Sequence, residues 1–252
     1  MDTSVSVVLV DVSPKMIKAW REVFEDNPEV TVVHGSILDQ KTTAWVNPTN
    51  ARAIMEGGVD GVMKKHFGPK IQTRVQSEIA RLFGGALPVG HATCVETGVA
   101  IPRFLISTPT MHATSEDVSD TLNVVLAASA ALQRVHMQNK KVPGSITSVA
   151  IPGLGTNTGK VPVEIAADLM WTAYALFREK AFDDFKSMRE ALEESLGSLG
   201  NSLAPGGAHA AKPSGPKLAV ATPGLPGIAA APPTTAPTPP AGKPLTDFDD
   251  HE

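Results

Sequence analysis

A single cysteine, Cys94, stands in a chain of 252 residues, so no disulfide can form within it. Such usage fits a reduced, cytoplasmic protein. No strong excess of either charge is present: the formal net charge is -4. That argues against a general binder of nucleic acid or membrane surfaces. No apolar run is long enough to span a bilayer, and the N-terminus lacks a basic, apolar secretory pattern. Five of the seven histidines, His34, His66, His91, His112 and His136, are scattered without the spacing of zinc ligands. Nothing points to a metal or a cofactor, and no internal repeat is visible.

The last fifth of the chain lacks almost every aromatic residue. From Gly200 onward Phe248 stands alone, among Ala, Pro, Gly, Thr and Ser, with eleven of the 21 prolines. Such a segment cannot bury enough apolar surface to offset about 1–2 kcal/mol of backbone entropy per residue. Residues 200–252 are therefore expected to form a disordered tail. Its acidic end, Asp247 to Glu252, reads as a solubilising terminus or as a short docking peptide for a protein partner.

The remainder alternates between strand and helix patterns. Valine-rich Ser4–Val10 reads as a buried strand. Ser13 and Pro14 suit an N-cap and a first helical position, ahead of Met16, Ile17, Trp20, Val23 and Phe24 on one face. Strands follow at Val30–Val33 and Thr43–Val46. Helices follow at Val59–Phe67 and from Ile71 to Phe83, the first stopped by Gly68-Pro69 and the second by Gly84-Gly85. Strands at Ala92–Glu96, Phe104–Ser107 and Ile146–Ile151 flank a helix that Ser119 or Asp120 would cap. Pro162 opens a further helix, and Phe182–Leu199 reads as a charged amphipathic one. The division expected is residues 1–182, a charged helix over 183–199, and the tail. Alternating elements of this kind indicate an α/β sandwich, with ligand loops at one edge of the sheet.

Two stretches carry chemistry. Asn47-Pro48-Thr49-Asn50 ends an apolar run, and Gly57-Gly58-Val59-Asp60-Gly61 then opens a helix, where backbone amides and the helix dipole favour an anion. Ile151-Pro152-Gly153-Leu154-Gly155-Thr156-Asn157-Thr158-Gly159 is a second glycine loop after a strand. Together they resemble the two ligand loops of the macro domain family, most of all a bacterial and phage-type subgroup. The resemblance covers roughly residues 5–180 and includes Gly35-Ser36-Ile37 and Thr108-Pro109-Thr110-Met111. It implies a three-layer α/β/α fold around a central mixed sheet. It further implies that ADP-ribose or an ADP-ribosylated substrate is the partner.

On that resemblance Asn50 and Asp60 are the catalytic pair, Asn50 facing the distal ribose and Asp60 orienting a water or acting as base, while Asn47, among the ligand-binding candidates, reads chiefly as a brace for the loop. Gly57, Gly58 and Val59 approach phosphate from one side. Gly153, Leu154, Gly155, Thr156, Asn157 and Thr158 approach it from the other, and Ser36 and Ile37 meet the base. Ser36 replaces an aspartate that many relatives carry, so preference for adenine should be weaker than usual: a neutral acceptor contributes about 1 kcal/mol where a charged one contributes about 1.5–3 kcal/mol. The second loop also lacks an aromatic over the distal ribose. Two functions follow: a hydrolase of ADP-ribosyl linkages (glycohydrolase or O-acetyl-ADP-ribose deacetylase type), or a binding module without chemistry. A structural interaction protein is a third reading. Asp11, at the end of the first strand, resembles the ribose-holding acid of Rossmann-like methyltransferases. That role needs an upstream glycine loop, which the ten preceding residues do not supply, and it is set aside.

Overall fold

The computed structural model describes residues 5–180 and 182–202, with side chains described as far as 196. The tail reading, from 203 onward, lies outside them.

Six strands form one sheet in the order β2-β1-β6-β3-β5-β4. They are β1 (Ser6–Asp11), β2 (Val30–His34), β3 (Ala44–Asn50), β4 (Thr93–Glu96), β5 (Phe104–Met111) and β6 (Ser148–Ile151). Every neighbouring pair is parallel except β4 with β5. Parallel strands need crossovers, and crossovers cover both faces. The helices here are α1 (Pro14–Val23), α2 (Gly58–Phe67), α3 (Lys70–Phe83), α4 (Asn123–Lys141), α5 (Val163–Glu179) and α6 (Phe185–Ser202).

Alternation along the strands divides the core in two. Val7 and Leu9, Ala44 and Val46, Phe104 and Ile106, and Val149 and Ile151 pack with α1, α4 and α5. Val10, Trp45, Leu105 and Ala150 point the other way, onto α2 and α3. The result is a mixed sheet between two helical layers.

Local signals place several boundaries. The Ser13 hydroxyl accepts from the Met16 amide and caps α1, with Pro14 in the first turn. Gly84 closes α3 in the left-handed region. Helix α4 starts later than its candidate caps, at Asn123: the Ser119 hydroxyl bonds instead to Asp117, and the Thr121 hydroxyl accepts from the Asn123 amide while donating to the Val118 carbonyl. Strand β3 runs on through Asn47-Pro48-Thr49-Asn50, beyond the expected end at Val46. Proline is tolerated there because β3 pairs with β6 only at Ala44 and Trp45; past that point its sole neighbour is β5.

Helix α6 is not free-standing. Phe185, Met188 and Leu192 are buried in the larger core cluster. His91 lies against Phe185, and the Gln133 amide donates to the Phe182 carbonyl at 2.6 Å. The helix reaches Ser202, slightly into the stretch that composition assigns to the tail. Leu192 is fully buried. Leu192→Ala should therefore cost about 2–4 kcal/mol, read as a lower urea midpoint at constant slope. An unchanged midpoint would mean that α6 does not belong to the cooperative unit.

Candidate functional site

The parallel strands deliver their last residues to one edge of the sheet. Asp11 pairs with His34 across β1 and β2, and Asn50 pairs with Met111 across β3 and β5. The loops after β2, β3 and β6 therefore gather at that edge, and they carry the candidate residues.

The first ligand loop is built by Asn50. Its amide oxygen accepts from the Arg52 and Ile54 amides at 3.2 and 3.1 Å, and its nitrogen donates to the Ile54 carbonyl at 2.9 Å. The turn holds Ala53 at positive φ. Bracing of the loop, read from sequence as the task of Asn47, is thus carried out by Asn50. Asn47 has zero exposure and donates to Asp60 Oδ1 at 2.5 Å.

Asp60 lies in the first turn of α2 and is only 6% exposed. Burial pushes its carboxyl up to about 7, against the opposing influence of Thr49 and Asn47. The Thr49 hydroxyl is near enough to favour the ionised form, yet its geometry falls short of a hydrogen bond and the oxygen finds no partner among the described residues. Asn47 Oδ1 is likewise unpartnered and buried. A hydroxyl beside a carboxyl can serve both of its forms, donating to the anion or accepting from the acid.

Ahead of Asp60, Gly57 is the N-cap of α2 and supplies no side-chain cap. The first intrahelical bond runs from the Gly61 amide to the Gly57 carbonyl. The amides of Gly58, Val59 and Asp60 thus meet no acceptor among the described residues. A Cβ at Gly57 or Gly58 would meet nothing within 4 Å. Open space over free amides at a helix N-terminus is suited to an anion.

The second loop is different. Its glycines are required by the protein itself. A Cβ at Gly155, where φ is +71°, would lie 2.8 Å from Val124 Cγ2. One at Gly159 would lie 2.6 Å from the Gly155 carbonyl oxygen and 2.7 Å from Val118. The Val118 amide also donates to the Gly159 carbonyl, and Lys160 pairs with Asp117 at 3.2 Å. Leu154 is buried in the core, while Thr156 is half-buried and Asn157 and Thr158 are exposed. Only the backbone and the polar side chains of this loop are therefore available to a ligand.

At the base end, the Ser36 hydroxyl accepts from the Leu38 amide at 3.2 Å and caps a short 3₁₀ turn. The Ile37 side chain is buried. Sequence reasoning set Asp11 aside and gave it no place in the site. It sits between the Ser36 loop and the second glycine loop and is bonded to both. Its place follows from strand order, which puts β1 between β2 and β6 and which no local motif announces. Among the described residues no group of three or more His, Cys, Asp or Glu is arranged to hold a metal, and no helix is long and apolar enough to cross a membrane.

Comparison with known proteins points to one family. A family profile described as the Macro domain matches residues 46–170. A protein of Streptomyces nogalater, described as a macro domain-containing protein, is 30% identical over 62% of this chain and 89% of its own length. An uncharacterised Aquifex aeolicus protein is 32% identical over 67% of this chain and 98% of its own. Among solved structures, the macrodomain of Mycobacterium tuberculosis DarG is similar with a TM-score of 0.47 and 24% identity, over 56% of this chain and 86% of that one. An Oceanobacillus iheyensis macrodomain with ADP gives 0.48 and 21%, over 67% and 90%.

Two expectations follow. Asp60 has a folded-state value raised above the unfolded 3.8, so the folded protein holds this proton more tightly. Stability should fall as pH rises from about 4 to about 7 and then level off, with a slope of at most about 1.4 kcal/mol per pH unit. Asp60→Asn should remove that slope in urea melts at pH 5 to 8; an identical slope in the variant would reassign it to other groups. Gly155→Ala should lose about 1–3 kcal/mol through its backbone region and the Val124 contact, whereas Gly57→Ala should stay within about 0.5 kcal/mol of wild type. Equal losses would contradict the distinction between the loops.

Proposed function

The chain belongs to the macro domain family, and from that premise we propose that the crevice at the strand-end edge binds ADP-ribose or a closely related nucleotide-sugar. The observation that carries the reading is the first turn of α2. There the amides of Gly58, Val59 and Asp60 stand free beside open space. A diphosphate is the group that such a turn suits, through direct N–H donation and the helix dipole.

In this reading the diphosphate lies between Gly57-Gly58-Val59 and the backbone of Gly153-Leu154-Gly155. Thr156, Asn157 and Thr158 add donors from the second loop. Asn50 shapes the first loop and offers its remaining amide hydrogen toward the distal ribose. Ser36 and Ile37 lie at the base end. The Ser36 hydroxyl already accepts from a backbone amide. It keeps one lone pair and one proton, both neutral, so discrimination for the adenine amine is weak.

A second reading adds hydrolysis of an ADP-ribosyl linkage, with Asp60 activating water. It is favoured by a carboxyl whose acidity lies close to neutrality, the range where a general base works best. Against it stands the burial of Asp60, only 6% exposed and with one oxygen occupied by the fully buried Asn47. Binding is therefore the primary reading and turnover the secondary one.

Calorimetry on the full chain with ADP-ribose, ADP, GDP-ribose and NAD tests the first. ADP-ribose should bind, with little loss on exchange of adenine for guanine. Gly57→Val should weaken it at least tenfold without lowering the melting temperature. No heat with any of the four ligands would overturn the reading. Release of ADP-ribose from Glu-, Ser- and thymidine-linked substrates tests the second. If Asp60 acts as base, the rate should rise with pH and level off above about 7, and Asp60→Asn should lower it about 10²-fold. Wild-type turnover no faster than buffer leaves a binding module.

A further inference from the structure

Asp11 holds an unusual position for a residue that no ligand motif includes. It is the last residue of β1, and β1 lies between β2 and β6, whose loops carry the base end and the phosphate end of the crevice. Its main-chain carbonyl accepts from the Gly35 amide at 3.0 Å, which fixes the start of the Ser36 loop. Its Oδ2 accepts from the Gly153 amide at 3.1 Å, which fixes the start of the second glycine loop. Its Oδ1 accepts from the Ser13 amide at 2.8 Å, which sets Ser13 to cap α1. One residue thus ties three turns together.

The fit around this carboxylate is close. A Cβ at Gly153 would lie 2.7 Å from Asp11 Oδ2, with Thr156 Oγ1 at 3.3 Å and Met16 Cγ at 3.4 Å. Gly153 therefore lets its own amide reach Asp11. No Lys, Arg or His forms an ion pair with Asp11 among the described residues. A negative charge beside a loop meant for a diphosphate opposes the ligand's charge. Its use must then lie in the amides that it holds. Only a carboxylate accepts on both oxygens with no donor of its own; an amide would set an N–H against one of the two N–H groups.

We propose that Asp11 is a positioning residue of the ligand crevice, holding the phosphate loop at Gly153 in register with the base-end loop at Gly35. This inference rests on the reading of the crevice as a site for a diphosphate ligand. By aiming the backbone of Gly153-Leu154-Gly155 it prepares the loop before the ligand arrives, which reduces the ordering that binding must supply.

The test is Asp11→Asn, which changes charge and one acceptor but hardly any volume. Three measurements are made: calorimetry with ADP-ribose, calorimetry with inorganic pyrophosphate, and amide hydrogen exchange at Gly153 and Gly35 in the ligand-free protein. Exchange at Gly153 should rise at least tenfold, while Gly35, held by a main-chain carbonyl, should change little. Affinity for both ligands should fall about tenfold, although a repelling charge has been removed. Tighter binding in the variant would show that Asp11 acts only as background charge, and the proposal would fall. Unchanged Gly153 exchange would overturn it whatever the ligand does. Faster exchange with unchanged affinity would reduce Asp11 to a purely structural residue. The two readings fail separately: if the wild type binds pyrophosphate but not ADP-ribose, the nucleotide-sugar assignment falls and Asp11 is judged on pyrophosphate and exchange. If neither ligand binds, both fall.

Discussion

Parallel pairing is the constraint on which the rest of this molecule depends. Parallel strands cannot be joined by tight turns, so each needs a crossover, and the crossovers cover both faces with helices. The chain meets this demand with a β5 that is buried at every position and with β3 and β6 buried at most of theirs. Where β3 and β5 become polar, at Asn47, Thr49, Ser107 and Thr108, they remain buried. The same constraint sends the loops that follow parallel strands to one edge. The crevice is a product of the sheet's connectivity before it is a product of any particular side chain.

Within that edge the least comfortable group is Asp60. A carboxyl at 6% exposure with one firm partner is destabilising as an anion, and its acidity has shifted to reflect that. Asn47 joins it to β3, so strand and helix are locked together at the point where the helix presents its amides. The anchor and the anion cradle are one piece of structure. A residue in this setting serves the loop's geometry even where it does no chemistry.

The sequence made much of this visible. Ser13 and Pro14 announce α1, valine-rich runs announce β1 and β2, and the two glycine loops announce the ligand edge. Such features depend on neighbours in the chain. Other features depend on distant residues and were illegible. Asp11 meets Gly153 only because β1 lies next to β6, and Gly155 needs its positive φ and missing side chain because Val124 packs there. Bracing of the first loop was read into Asn47 and falls to Asn50, since both asparagines suit that task until the turn is folded. The late start of α4 was also hidden, because the Ser119 hydroxyl, which suits a cap, is drawn to Asp117 in the preceding loop.

The extension of β3 past its pairing with β6 has a wider meaning. The two strands separate after Trp45, while β3 continues to Asn50 and β6 stops at Ile151. At about 3.3 Å per residue, the five residues beyond Trp45 carry β3 roughly 16 Å past the fork. Beyond the fork β3 is paired with β5 alone, so a mismatch in strand length leaves its other edge without a strand partner. Lengthening β6 by even two residues would pair backbone with backbone along that edge and push the second glycine loop away from the first.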